Sequence, residues 1–265
     1  MADSDIHGSW ALVTGASSGL GVDFARQLAS RGANLILVAR RWERLRVLAG
    51  EIKINTAVDV EVEPLDLADP GAAEVLYRKL DERGHHVEIL VNNAGFGVHG
   101  SFLDSPWTRD RDMIQVDAIA PLHLTRLFAA KMAKRGFGRI LQVASTAAYQ
   151  PVPTYAVYGA CKAFVLSFSQ ALNYELRGSG VTCTVVSPGV IKTEFQQVAG
   201  HAFTRYMRWT QMKSADVARI GIEAMLNGRT VVVPGLHNAL LVASQRFAPR
   251  RLVTALAGYF MTAGR

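Results

Sequence analysis

Cysteine is scarce in this 265-residue chain, which has only Cys161 and Cys183. Neither has a second Cys or a His at the spacing that a zinc site or dithiol pair requires, so no metal centre is expected. Both read as small buried residues in a reducing compartment. No run of about 18 apolar residues occurs, which argues against a spanning helix. The opening MADSDIHGSW carries acids and lacks a basic region followed by an apolar stretch. It does not read as a secretion signal, and a cytoplasmic location is expected. Zinc-finger spacings and aromatic-flanked basic motifs are missing too, so no nucleic-acid partner is expected for a chain of net charge +7. An anionic membrane or an anionic cofactor fits that charge equally well. No linker, repeat or low-complexity segment divides the chain.

What is present is core material: 49% hydrophobic and 19% charged residues, enough for one domain. Short apolar runs fall at Ala11 to Thr14, Leu35 to Val38, Val58 to Val62, Ile89 to Val91, Ile140 to Val143, Val181 to Val186 and Val231 to Val233. Helical spacing separates them, as in Leu20, Phe24 and Leu28, or Val75, Leu76 and Leu80. Such alternation predicts an α/β fold: a Rossmann-like, doubly wound, seven-stranded parallel sheet with helices on both faces, in a single domain over residues 1–235. Ser105-Pro106 reads as a helix start, and Gly84, Gly136, Gly180 and Gly228 as helix ends. Ligands of such sheets sit beyond the carboxyl ends of the strands, where the strand order reverses.

The first strand runs into Thr14-Gly15-Ala-Ser-Ser-Gly19-Leu-Gly21. Glycines there let a pyrophosphate approach the backbone, and a following helix offers unpaired N–H groups. Tight packing alone is the competing reading of such a turn. The second strand ends in Val38-Ala39-Arg40-Arg41, where an NAD site would place an acid. A guanidinium there favours a 2′-phosphate, so NADP(H) is the expected cofactor with Arg40 as main contact. Arg41 fits better as the start of a solvated helix.

Taken in order, TGASSGLG, Asp66-Leu67, Asn92-Asn93-Ala94-Gly95, Ser145, Tyr158-Gly-Ala-Cys-Lys162 and Pro188-Gly189 with Thr193 resemble the short-chain dehydrogenase/reductase family, over about residues 10 to 235. The resemblance implies that Gly15, Ser17, Ser18, Gly19, Leu20 and Gly21 surround the diphosphate and adenosine ribose. It implies Asp66 and Leu67 at the adenine, and Asn93, Ala94 and Gly95 along the central strand. Pro188, Gly189, Val190 and Thr193 would meet the nicotinamide carboxamide, and Tyr158 and Lys162 its ribose. Asp66 as a helix cap and Pro188-Gly189 as an ordinary turn are the plainer alternatives.

Tyr158 and Lys162 lie four residues apart, hence on one helical face. A nearby ammonium favours the phenolate of a group whose free pKa is near 10. Ketone reduction needs a proton delivered to oxygen, and Tyr158 is the candidate acid, with Ser145 holding the carbonyl oxygen. Tyr149, Tyr155 and Tyr174 have no Lys four residues later and are left as pocket or packing residues. One position departs from the family pattern: Asp117 stands where many members carry an Asn that supports a helix irregularity and a water leading to the lysine. An ionised Asp only accepts hydrogen bonds. It can stay neutral, pair with Lys162 through water, weaken the relay, or simply bond backbone groups.

Phe195, Phe203, Tyr206, Met207, Trp209 and Met212 fall where the family keeps a variable lid, and point to a small hydrophobic carbonyl or alcohol substrate, of fatty-acyl, steroid or similar type; packing of the lid onto the core is the other reading of the same residues. His99 reads as structural or exposed. Residues 236–265 form an amphipathic basic tail, with Leu252, Leu256 and Phe260 on one helical face. It is expected to pack on its own domain or a partner subunit; peripheral membrane contact and pocket closure are the other readings. The resemblance also implies a homodimer or homotetramer. The expected activity is NADP(H)-dependent interconversion of a hydrophobic ketone and secondary alcohol. The alternative is a cofactor-binding interaction protein whose turnover Asp117 has weakened.

Overall fold

A computed structural model of the chain describes residues 6–202 and 204–262. Seven strands are described: β1 (Trp10–Thr14), β2 (Asn34–Ala39), β3 (Val60–Pro64), β4 (Val87–Asn92), β5 (Gly138–Val143), β6 (Val181–Val186) and β7 (Val231–Val232). They form one parallel sheet in the order β3-β2-β1-β4-β5-β6-β7. Each of the seven apolar runs contributes a strand, although β3 starts at Val60, past the expected Val58, and β7 stops at Val232. The strands read as nearly continuous apolar runs because helices cover both faces.

The helices are α1 (Gly19–Ser30), α2 (Trp42–Asn55), α3 (Ala72–Glu82), α4 (Trp107–Ile114), α5 (Ala120–Arg135), α6 (Ala156–Glu175), α7 (Phe195–Ala199), α8 (Arg205–Thr210), α9 (Ser214–Leu226), α10 (Leu236–Ser244) and α11 (Arg250–Thr262). Successive strand residues point to opposite faces. Ala11, Val13, Leu35 and Leu37 therefore meet Phe24 and Leu28 of α1, Leu48 of α2 and Ile222 of α9. Leu12, Ile36, Leu90 and Ile140 meet Leu76 and Leu80 of α3 and Leu124, Phe128 and Met132 of α5 on the other side. Each such Leu or Phe contributes about 1.5–3 kcal/mol by leaving water. Val75, expected on the buried face of α3, is instead solvent-exposed; Ala72, Ala73, Leu76 and Leu80 carry that face.

The strand order reverses between β1 and β4, whose carboxyl ends open a crevice. Between α4 and α5 the helix carries a π-helical turn, Gln115–Ile119. It is the irregularity expected around Asp117. Past β7, α11 lies on the loop before α6 by Ala257, Gly258 and Met261: a Cβ on Gly258 would sit 3.2 Å from Pro153, and Met261 packs with Val152, Tyr155 and Ala199. The expected packing face points the other way, with Leu252, Leu256 and Phe260 exposed.

Candidate active site

β5 ends at Val143, and two residues later Ser145, extended at φ −163°, starts a short 3-10 turn by accepting a hydrogen bond from Ala147 N at 3.1 Å. Helix α6 follows and brings Tyr158 and Lys162 to the same cavity as Ser145. Ser145 stands close enough to the Tyr158 phenol to pull its pKa down, against the burial that raises it. The Lys162 ammonium lies 5.6 Å from the Tyr158 ring centroid and donates to Val143 O at 3.2 Å. Lys162 is buried, whereas Tyr158 keeps part of its surface open to the cavity.

Asp117, fully buried in the π-turn, reaches the same lysine directly: its Oδ1 lies 2.8 Å from Lys162 Nζ. This is an ion pair off the line of a well-directed hydrogen bond. Its Oδ2 accepts from Phe96 N at 3.0 Å. Two of the sequence readings thus coexist, the charge pair and the backbone bond, and the pair is direct rather than carried by water. Gly95 makes room for it, since a Cβ there would stand 2.5 Å from Asp117 Oδ1 and 3.1 Å from Lys162 Nζ.

Burial holds the Asp117 carboxyl above its ordinary pKa, against the pull of Lys162. Burial works against the Lys162 ammonium, but the Asp117 carboxylate and the Tyr158 phenolate outweigh it, and its pKa is raised. The Tyr158 phenol is raised as well: burial dominates, Lys162 opposes it, and Asp117 adds to it. The lowering expected from Lys162 is present and is outweighed. Tyr149 donates to Ser187 Oγ at 3.3 Å, Tyr155 bonds His201 Nδ1 at 3.0 Å, and Tyr174 is exposed. None of the three sits beside Lys162. His99 stacks on His201 at 3.8 Å between ring centroids, outside the cavity lining.

The cavity encloses about 600 Å³ and runs from this group to the glycine turn. Gly15, Ser17, Ser18, Gly19 and Leu20 line it. Gly19 is held at φ +51°, and a Cβ on it would meet Thr193 Cγ2 at 2.8 Å across the cleft. No acid stands in the first turn of α1, and the side chain of its N-cap Ser18 makes no capping bond, so those amides remain available to an anion. Gly21 does not line the cavity: a Cβ there would strike Gly15 O at 2.2 Å. Its absence of side chain serves the packing of α1 on the turn.

Arg40 lines the far end, 3.6 Å from Asp66 Oδ2, and Asp66 Oδ1 accepts from Ala68 N at 3.0 Å. Asp66 is thus both cavity wall and local turn former. Arg41 is not merely helix surface: it also lines the cavity, donates to Ser17 Oγ at 3.1 Å and pairs with Glu194 at 3.0 Å. Arg44 pairs with Glu194 at 2.8 Å. Leu67, Asn93, Ala94, Gly95, Pro188, Gly189, Val190 and Thr193 complete this wall. Thr14, which sequence reasoning passed over, fixes the strand ends: its Oγ1 accepts from Asn93 N and Ala94 N at 3.0 Å each.

The end beyond Tyr158 is apolar, built from Val152, Tyr155, Phe195, Met207, Leu241 and Met261. The Phe195 and Tyr158 rings are 5.3 Å apart. Of the other expected lid residues, Trp209 is exposed and Met212 packs into the core beside the sheet. Phe203 and the Tyr206 side chain lie outside the described residues. Asn238, Leu241 and Met261 from the C-terminal helices also line the cavity; pocket closure is among the sequence readings of residues 236–265, but no motif singles out these three.

A family pattern described as "short chain dehydrogenase" matches residues 9–202. The very-long-chain 3-oxoacyl-CoA reductase of Anas platyrhynchos is 32% identical over 228 residues, 83% of this chain and 72% of that protein. The 7beta-hydroxysteroid dehydrogenase of Collinsella aerofaciens is 34% identical over 191 residues, 71% and 70% of the two chains. A solved short-chain dehydrogenase from Sphingobium yanoikuyae, in complex with NADPH, superposes with a TM-score of 0.82 at 31% identity, covering 92% of this chain and 95% of that one.

Proposed function

The chain belongs to the short-chain dehydrogenase/reductase family, oxidoreductases that act on carbonyl or hydroxyl groups with a nicotinamide cofactor, and from that premise we propose an NADP(H)-dependent reductase of bulky hydrophobic ketones. One observation carries the reading. A cavity of about 600 Å³ joins Arg40 and Arg41, the unacidic start of α1, the Ser145–Tyr158–Lys162 group and an apolar end in a single continuous lining.

The residues present fit a phosphorylated dinucleotide. The first turn of α1 has amides for a diphosphate, the missing side chain of Gly19 keeps that helix start bare, and the Arg40 and Arg41 guanidiniums offer charge to a 2′-phosphate. When bound, the nicotinamide exchanges a hydride with the carbonyl carbon. The protein handles the oxygen. Ser145 holds it by its hydroxyl, and Tyr158 Oη gives it a proton in reduction or takes one in oxidation. Lys162 steadies the phenolate by charge, while Val143 O and Asp117 fix the ammonium in place.

Val152, Phe195, Met207 and Met261 surround the substrate end with hydrocarbon and sulfur, which selects lipophilic ketones. Relatives named for 3-oxoacyl and hydroxysteroid compounds support the same class. The test is NADPH oxidation with a panel of steroidal, long-chain 3-oxoacyl and bulky aryl ketones, run beside Tyr158→Phe. Turnover that vanishes with the phenol supports the reductase. Tight NADPH binding without any Tyr158-dependent turnover supports the other reading, in which the buried Asp117–Lys162 pair has silenced the relay and the cofactor only stabilises an interaction surface.

A further inference from the structure

The C-terminal helices carry an apolar surface that the chain itself does not cover. On α11, Leu252, Leu256 and Tyr259 follow one another at i, i+4 and i+7 and share one face, 51%, 47% and 64% exposed. Phe247, in the 3-10 turn Gln245–Phe247 between α10 and α11, is 88% exposed, and Leu240 on α10 is exposed as well. A helix on a globular surface ordinarily turns such a stripe toward the core. Here Ala257, Gly258 and Met261 take the inward side, so the stripe faces out. Exposed patches of this kind mark interaction sites.

Charge identifies the occupant. Arg246, in the turn before α11, and Arg250 and Arg251, at its start, are all exposed, and none of them has an ion-pair partner among the described residues. No Asp or Glu follows Glu223 anywhere in the sequence. A second copy meeting this face about a twofold axis would set arginines against arginines with no carboxylate between them. Anionic lipid offers both what the stripe needs and what the arginines need. Among the described residues no helix is long and apolar enough to cross a membrane.

We propose that the α10–α11 face docks peripherally on an anionic lipid surface, with Phe247, Leu252, Leu256 and Tyr259 in the headgroup boundary and Arg246, Arg250 and Arg251 on lipid phosphates. The inner sides of the same two helices supply Leu241 and Met261 to the cavity. Docking therefore brings the apolar end of the cavity close to a lipid phase, from which a lipophilic ketone can enter; that last step rests on the ketone reading, and the docking does not.

Co-sedimentation of the full chain with phosphatidylcholine vesicles, with and without phosphatidylglycerol, tests it. The native chain is expected to bind the anionic vesicles, weakly at high salt, and to leave the neutral ones largely unbound. Each arginine is worth roughly fivefold in partitioning, so Arg246→Gln/Arg250→Gln/Arg251→Gln is expected to lose on the order of a hundredfold. Leu252→Ser/Leu256→Ser/Tyr259→Ser is expected to lose binding altogether. NADPH affinity and circular dichroism, unchanged in both variants, separate this from misfolding. Failure of the native chain to bind anionic vesicles, or equal binding by the variants, overturns the proposal. So does a dimer that Leu252→Ser dissolves, with no vesicle binding, which would give the face to a second copy. Vesicle binding lost while ketone turnover persists leaves the reductase reading untouched.

Discussion

Asp117 and Lys162 meet as a buried ion pair, Oδ1 to Nζ at 2.8 Å, beneath the phenol of Tyr158 that the lysine also approaches. A negative charge near a phenol disfavours the phenolate, so Asp117 acts on Tyr158 in the direction opposite to Lys162. Asp117→Asn keeps the shape and removes the charge. Its pH–rate profile is expected to move to lower pH: reduction, which needs the protonated phenol, falls off earlier on the alkaline side, and alcohol oxidation sets in earlier. Superimposable profiles would leave Asp117 with only its bond from Phe96 N.

Tyr158→Phe removes the proton donor while keeping the ring that packs, tilted, against Phe195. Turnover on any ketone that the native enzyme reduces is expected to drop by about 10²–10⁴-fold, the usual worth of a positioned acid. NADPH binding, read by fluorescence, is expected to change little. Retained turnover would place the proton elsewhere.

Arg40→Ala and Arg41→Ala are each expected to raise KM for NADPH by roughly tenfold to a hundredfold, the worth of a charged hydrogen bond, and to leave KM for NADH nearly unchanged. Glu194→Gln provides the contrast. Its pairs with Arg41 and Arg44 are exposed, and such pairs are worth about 1 kcal/mol or less, so a change below about fivefold is expected. A large, equal loss for both cofactors in the arginine variants would mean structural damage rather than lost recognition.

Met261→Ala widens the apolar end without touching Ser145, Tyr158 or Lys162. KM for the bulkiest ketones is expected to rise by about tenfold, and kcat/KM for small ketones to hold, as lost hydrocarbon contact predicts. An equal effect on small and large substrates would remove Met261 from the substrate wall.

The sheet was legible because its strands are buried on both sides and leave unbroken apolar runs, as Leu35 to Val38 do. Tyr158 and Lys162 were legible because a helix turns four-residue spacing into a shared face. Arg41 was not, since two adjacent arginines at a strand end read alike until backbone direction sends one toward Ser17. Asn238, Leu241 and Met261 reach the cavity through the docking of α10 and α11, a long-range relation with no local signature. Periodicity showed that α11 is amphipathic, and it is silent about which side faces the body. Trp209 reads as a lid residue from its bulk and place in the chain alone, and α8 turns it out.

The π-turn has one more effect, on which edits the gene can absorb. Removing a single residue from 115–119 would tighten the wide turn to regular α winding, so Leu124, Phe128 and Met132 of α5 would stay on the sheet they now cover. Asp117 would lose its place beside Lys162. A one-residue deletion here therefore spares the fold and costs the site, whereas the same deletion inside a regular helix would rotate everything downstream by about 100°.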